Sequence, residues 1–152
     1  MRFSSLETRI LHRKGAANIT ERYSTDFVVD GNSLLKTLQP GKSHNTWDFM
    51  GRFLCGQLKW NHEISKIFLL EQKPDLDNGR IMIYVCPECG DIGCGAITLT
   101  IAKHEDYFMW KDFCYENDYD QKMTDFDSFA LIGPFYFKEI SYRALIDSCI
   151  NL

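Results

Sequence analysis

The chain lacks any apolar run approaching the roughly 20 residues that a bilayer-spanning helix requires. Its opening, MRFSSLETRILHRKG, places Glu7, Arg9 and Arg13 where a signal peptide would need an apolar stretch. A cytoplasmic protein without membrane contact is therefore expected. Also missing are the apolar depletion and high net charge of disordered chains: hydrophobic residues make up 45% of the sequence and the formal charge is −4. No linker, low-complexity segment or internal repeat interrupts it, and the breaks QPGK (Gln39 to Lys42) and DNG (Asp77 to Gly79) are loop-sized. One domain over residues 1–152 is expected, long enough to bury roughly 68–70% of its unfolded surface.

Catalytic signatures are absent as well. There is no Walker A sequence, no GxGxxG, no HExxH and no GxSxG. The histidines, His12, His44, His62 and His104, are far apart, and only His62-Glu63 beside Trp60 forms a pairing. Asp112 falls within an expected strand and reads as a candidate buried carboxylate, yet one carboxylate without a partner implies no reaction. ENDYDQKMTDFD lacks the sixth-position glycine and terminal glutamate of a calcium loop. No enzyme is expected.

What is present points to an α+β domain. Phe27 to Val29 reads as a short strand, Asp30-Gly31 as a turn, and Leu34, Leu35 and Leu38 as the inner face of a helix capped by Asn32 or Ser33. HEISKIFLLEQ is apolar enough for strand or helix. IMIYVC (Ile81 to Cys86), AITLTIAK (Ala96 to Lys103) and YFMWKDFCYE (Tyr107 to Glu116) are rich in β-branched and aromatic residues at strand length, and predict a central antiparallel meander. Ile97, Leu99 and Ile101 alternate with Thr98 and Thr100, the period of a sheet buried on one side. GPFYF predicts a last strand and KEISYRALIDSCI a helix burying Tyr142, Leu145, Ile146 and Cys149, so that a few helices cover one face of the sheet.

Six cysteines would suggest disulfides in a short exported scaffold, but the expected location favours reduced thiols. Three of them share YVCPECGDIGCG: Cys86 and Cys89 form C-x-x-C, Cys94 follows, and Pro87 and Gly90 bend the chain so that the thiols can converge. Structural zinc wants four ligands, and the fourth would come from Cys114 or His104. A thioredoxin-like site would need the motif to open a helix, whereas here it leads into another strand. A glycine-rich hairpin using cysteine as a small hydrophobe is the plainer alternative.

From Glu105 to Asp127 eight carboxylates face two lysines, a local charge of −6 against −4 for the whole chain. The same window holds Tyr107, Phe108, Trp110, Phe113, Tyr115, Tyr119 and Phe126. Aromatic anchors among carboxylates suit a surface that captures a basic protein, while a nucleic acid would be repelled. A solvated acidic loop over core aromatics would produce the same composition.

The segment YVCPECGDIGCGAITLTI, the WKDFCYENDYD stretch, GPFYF and the earlier DFVVDGNSLL together resemble a family of small bacterial proteins with a V-C-P-E-C-G-D-x-G-C-G-A core. By type, the chain's size, missing catalytic set and acidic aromatic segment also resemble the immunity proteins of contact-dependent growth inhibition systems. Those proteins bind and block a toxin domain, often an RNase or DNase. The resemblance implies one-to-one capture of a basic nuclease toxin, with Glu116, Asp118, Asp120, Asp125 and Asp127 meeting its Lys and Arg side chains and Tyr115, Tyr119 and Phe126 as anchors. The alternative is a small zinc-binding or thiol-redox protein centred on Cys86, Cys89 and Cys94. A third version is an adaptor domain with another partner. No cofactor is expected beyond structural zinc.

Overall fold

A computed structural model describes residues 1–38, 48–117 and 129–152. Strands β1 (Leu6–Arg13) and β2 (Arg22–Val29) form a long antiparallel hairpin. Asp30 and Gly31, both at positive φ, reverse the chain so that β3 (Asn32–Ser33) pairs back onto β2 before α1 (Leu34–Leu38) begins. The expected strand-to-helix step is thus a tight hairpin followed by a helix. Ser33 Oγ caps that helix by accepting from the Lys36 N–H at 3.1 Å.

The second sheet runs in the order β4 (Met50–Gly51), β5 (Ile81–Val85), β6 (Ala96–His104), β7 (Tyr107–Glu116), β8 (Phe135–Lys138), with every pair antiparallel. It contains the expected meander. HEISKIFLLEQ resolves as a helix: α2 (Leu58–Phe68) buries Ile64, Ile67 and Phe68 at helical spacing. The closing helix α3 (Glu139–Ser148) buries Tyr142 and Ile146, with Cys149 just beyond it, while Leu145 is only half-buried. The architecture is α+β.

One apolar core joins these elements: Leu34, Leu35 and Leu38 from α1 and the inner residues of α2 and α3 meet Ile81, Ile83, Ile97, Leu99, Phe108 and Trp110 from the large sheet. Phe27 carries the hairpin into it, edge-on to Trp110 at 5.1 Å between centroids. The buried Asp26 fixes the junction, accepting from the Tyr84 hydroxyl, the Ser33 hydroxyl and the Leu35 N–H. A smaller cluster, Met50, Met82, Val85 and Ala96 with Leu54 and Ile92, lies beneath the cysteine-bearing loop. Among the described residues no helix is long and apolar enough to cross a membrane.

Candidate metal centre

The loop joining β5 to β6 begins at Cys86, directly after the buried Val85. The Gly90 N–H returns to the Cys86 carbonyl at 2.8 Å, and Gly90 sits at φ 70°, a conformation open to glycine at little cost. Asp91 then accepts from the Gly93 N–H at 2.7 Å and caps a 3₁₀ turn over Ile92–Cys94, which closes on Gly95. These two turns fold the loop back on itself. The sulfurs of Cys86, Cys89 and Cys94 lie within 4.8 Å of one another. In a regular ZnS₄ tetrahedron, with Zn–S bonds of about 2.3 Å, that separation would be about 3.8 Å. The three thiols can therefore hold a metal ion after small side-chain adjustments.

Local electrostatics favour thiolate formation at Cys86. Partial burial pushes its thiol up, but N–H groups of Cys89 and Glu88 together with the Cys89 and Cys94 thiols outweigh that, and the net shift is downward. Cys94 moves the other way, to about 12, because it hydrogen-bonds Cys89 and Cys86 and faces the charge on Cys86. A bound dication would replace this competition by drawing the protons off all three.

The loop is also clamped from outside. Glu88 accepts from the Thr20 N–H at 2.8 Å, the Thr20 hydroxyl at 2.9 Å and Arg13 at 2.6 Å. Those contacts, the Thr20 N–H foremost, hold its carboxyl at about 2. Arg13 simultaneously grips Asp48, and Arg22 donates to the Pro87 carbonyl at 2.8 Å. The β1–β2 hairpin is thereby latched to the cysteine loop. Nothing local to C-P-E-C signals this, since Thr20 and Arg13 are 68 and 75 residues away in sequence.

Neither expected fourth ligand joins the cluster. Cys114 is buried in β7 with its thiol on the Tyr115 carbonyl at 3.4 Å. His104 stacks on Tyr107 at the far end of β6, eight residue steps or roughly 27 Å from Ala96. Among the described residues only Cys86, Cys89 and Cys94 form such a group.

Of the residues expected to meet a partner, Asp118, Tyr119, Asp120, Asp125, Phe126 and Asp127 lie outside the described residues. Glu116 is turned inward: it pairs with Arg80 at 2.6 Å, accepts from the Thr98 hydroxyl at 2.8 Å, and is only 12% exposed at its side chain. Tyr115 is half-buried and leans over Gly95, where an added Cβ would overlap its hydroxyl. Phe108, Trp110 and Phe113 belong to the core. Asp112 is exposed and not buried as expected: a bulge puts it at φ 55°, leaving its carbonyl to accept from Arg80. His62 and Glu63 are exposed on α2 and form no pair, Glu63 instead meeting Lys66.

What the fold does bring together is the end of β7 and the cysteine loop. Glu116 lies opposite Ala96, which lies opposite Val85, so Tyr115, Glu116, Cys94 and Cys86 cluster at one end of the sheet. No protein-family model, curated protein or solved structure matches the chain. A cleft of about 460 Å³ along Lys111, Phe113, Phe129 and Pro134 contains none of the cysteines.

Proposed function

We propose that this chain is a binding protein of the immunity type: it captures a basic nuclease toxin domain and holds it inactive, and Cys86, Cys89 and Cys94 carry a structural zinc ion at the binding end. The observation that carries this proposal is a juxtaposition. At Glu116, at the same end of the sheet as the three converging thiols, the chain leaves β7 for the stretch of sequence that holds Asp118, Asp120, Asp125 and Asp127. Concentrated carboxylates attract and orient a surface built to hold phosphates, and aromatic side chains supply the desolvated anchors of such contacts. Zinc on three thiolates would stiffen the loop that the β1–β2 hairpin clamps, since binding energy at a structural site is folding energy.

The test is co-expression with the products of neighbouring genes, followed by affinity capture, mass spectrometry, metal analysis and a nuclease assay. The expected result is one basic polypeptide at equal stoichiometry, with nuclease activity that returns when the complex is denatured and the toxin refolded. The double charge reversal Asp118→Lys, Asp120→Lys should weaken capture with the fold unchanged. Undiminished affinity would remove that segment from the interface.

A second proposal, a thiol-redox or zinc enzyme, is favoured by the downward shift at Cys86 beside the exposed Cys89 and Cys94. Purification alone with about one zinc per chain and no captured partner would bring it to the front.

A further inference from the structure

The thiols that converge in the β5–β6 loop have a second chemistry besides holding a metal. The sulfurs of Cys86, Cys89 and Cys94 lie within 4.8 Å of one another, so side-chain rotation and a small closure of the loop bring a pair of them to bonding distance, about 2 Å. Cys89 and Cys94 are exposed, and Cys89 also lines a cleft of about 300 Å³, ample for a peroxide molecule. The remaining cysteines do not share this arrangement: Cys114 and Cys149 are buried, and Cys55 stands outside the sulfur cluster.

What sits between the thiols gives the loop a means of passing on its state. Pro87 and Glu88 separate Cys86 from Cys89, and the β1–β2 hairpin grips both: Arg22 donates to the Pro87 carbonyl, while Arg13 and Thr20 donate to the Glu88 carboxylate. Any pair drawn from the three thiols includes Cys86 or Cys89, so whichever disulfide forms pulls on one end of this turn. A metal ion keeps the sulfurs about 3.8 Å apart, whereas a disulfide draws two of them together.

We propose that Cys86, Cys89 and Cys94 form a peroxide-sensitive switch, in which a peroxide joins two of them in a disulfide, the metal is discharged and the clamp on the β1–β2 hairpin loosens. With hydrogen peroxide, a thiolate sulfur attacks one oxygen, the O–O bond breaks, and the departing hydroxide takes up a proton as water. The second thiol sulfur then attacks the resulting sulfenic acid; an S–S bond forms, the S–O bond breaks, and a second water leaves. Two thiols thus lose two electrons and two protons, and one peroxide becomes two waters; where the thiols begin as metal-bound thiolates, solvent supplies the protons. The single thiolate left over is too few for zinc, which takes four ligands. The discharge step rests on the metal assigned under the proposed function, and the disulfide does not.

The test uses the full reduced chain, zinc-loaded and metal-free, each treated with hydrogen peroxide. Zinc release is followed with a chromogenic chelator, and the tryptic peptide 81–103, which carries all three cysteines, is analysed by mass spectrometry after thiol alkylation. The expected peptide is lighter by two hydrogen atoms and alkylated at one cysteine only in both forms, with about one zinc released per loaded chain and full reversal by dithiothreitol and zinc. The Thr20 amide should exchange at least about fivefold faster than in the reduced, zinc-loaded chain. Glu88→Ala should form the same disulfide while its Thr20 amide no longer responds. An unchanged peptide, sulfinic or sulfonic acids in place of the disulfide, or a disulfide to Cys55 or between chains would overturn the switch while a zinc-loaded chain kept its metal site. A disulfide in a chain that takes up no zinc would overturn the metal and leave the disulfide site standing. Zinc that stays on the oxidised chain would overturn the discharge, and an unaltered Thr20 amide would overturn the transmission to the hairpin.

Discussion

Replacing Glu116 by alanine tests whether this carboxylate serves the fold or a partner. In the structure Glu116 Oε1 sits 2.6 Å from Arg80 Nε and 2.8 Å from Thr98 Oγ1, while Asn78 donates to Oε2 at 3.2 Å. The side chains of Arg80 and Glu116 are 9% and 12% exposed. Removing one member of a buried ion pair typically costs about 3–5 kcal/mol. Arg80 keeps the Thr98 and Thr100 hydroxyls and the Asp112 carbonyl as acceptors, and both ends retain some solvent, which lowers the expected loss to about 2–3 kcal/mol. For a chain of this length that corresponds to a melting temperature lower by about 4–12 °C. Urea unfolding should show an earlier midpoint with an unchanged slope, and Glu116→Gln should fall between the variant and the parent. A melt within about 1 °C of the parent's would refute the inward assignment. So would a stable Glu116→Ala protein that loses tenfold in affinity for the toxin domain proposed above, because the carboxylate would then be facing that partner.

Three further outcomes follow from the same geometry. With the proposed zinc in place, Cys89→Ser should drop metal content from about one per chain to near zero and speed exchange of the Thr20 amide, which donates to Glu88 in the neighbouring position; chelation of the parent protein should reproduce both effects. Gly51→Ala should destabilise by at least about 2 kcal/mol in chemical unfolding, since an added Cβ would overlap the Thr25 carbonyl and both backbones are held in place. The Glu88 carboxyl lies lower folded than unfolded, so its stabilising contribution is complete above the ordinary carboxylate range and disappears as the pH falls through about 2. Thr20 amide protection should accordingly persist through that range and collapse near pH 2, a step that Glu88→Gln should lack; collapse at ordinary carboxylate pH would show the latch to be weak.

The meander was legible because Ile97, Leu99 and Ile101 alternate with threonines, a period that strands alone impose. HEISKIFLLEQ remained ambiguous for the complementary reason: in a short apolar run the helical face of Ile64, Ile67 and Phe68 overlaps with what a buried strand would show. Strand β1 gave little signal, because LETRILHR mixes charge with scattered apolar residues and buries only part of its side chains. Asp112 looked like a strand carboxylate until the bulge rotated it outward.

Convergence of Cys86, Cys89 and Cys94 was determined by the sequence itself, since Pro87, Gly90 and Asp91 direct turns whose hydrogen bonds span only a few residues. The surroundings of those thiols were decided by tertiary structure alone. Arg13, Thr20 and Arg22 reach the loop from a hairpin more than sixty residues earlier, Trp60 on α2 lines a cleft shared with Cys89, and Glu116 finds Arg80 across two strands. A short-range turn is written in adjacent side chains and backbone torsions. Which distant charge meets which is set only when the sheets and helices close around a common core, and that fixes Glu116 inside the fold while leaving the thiols at its surface.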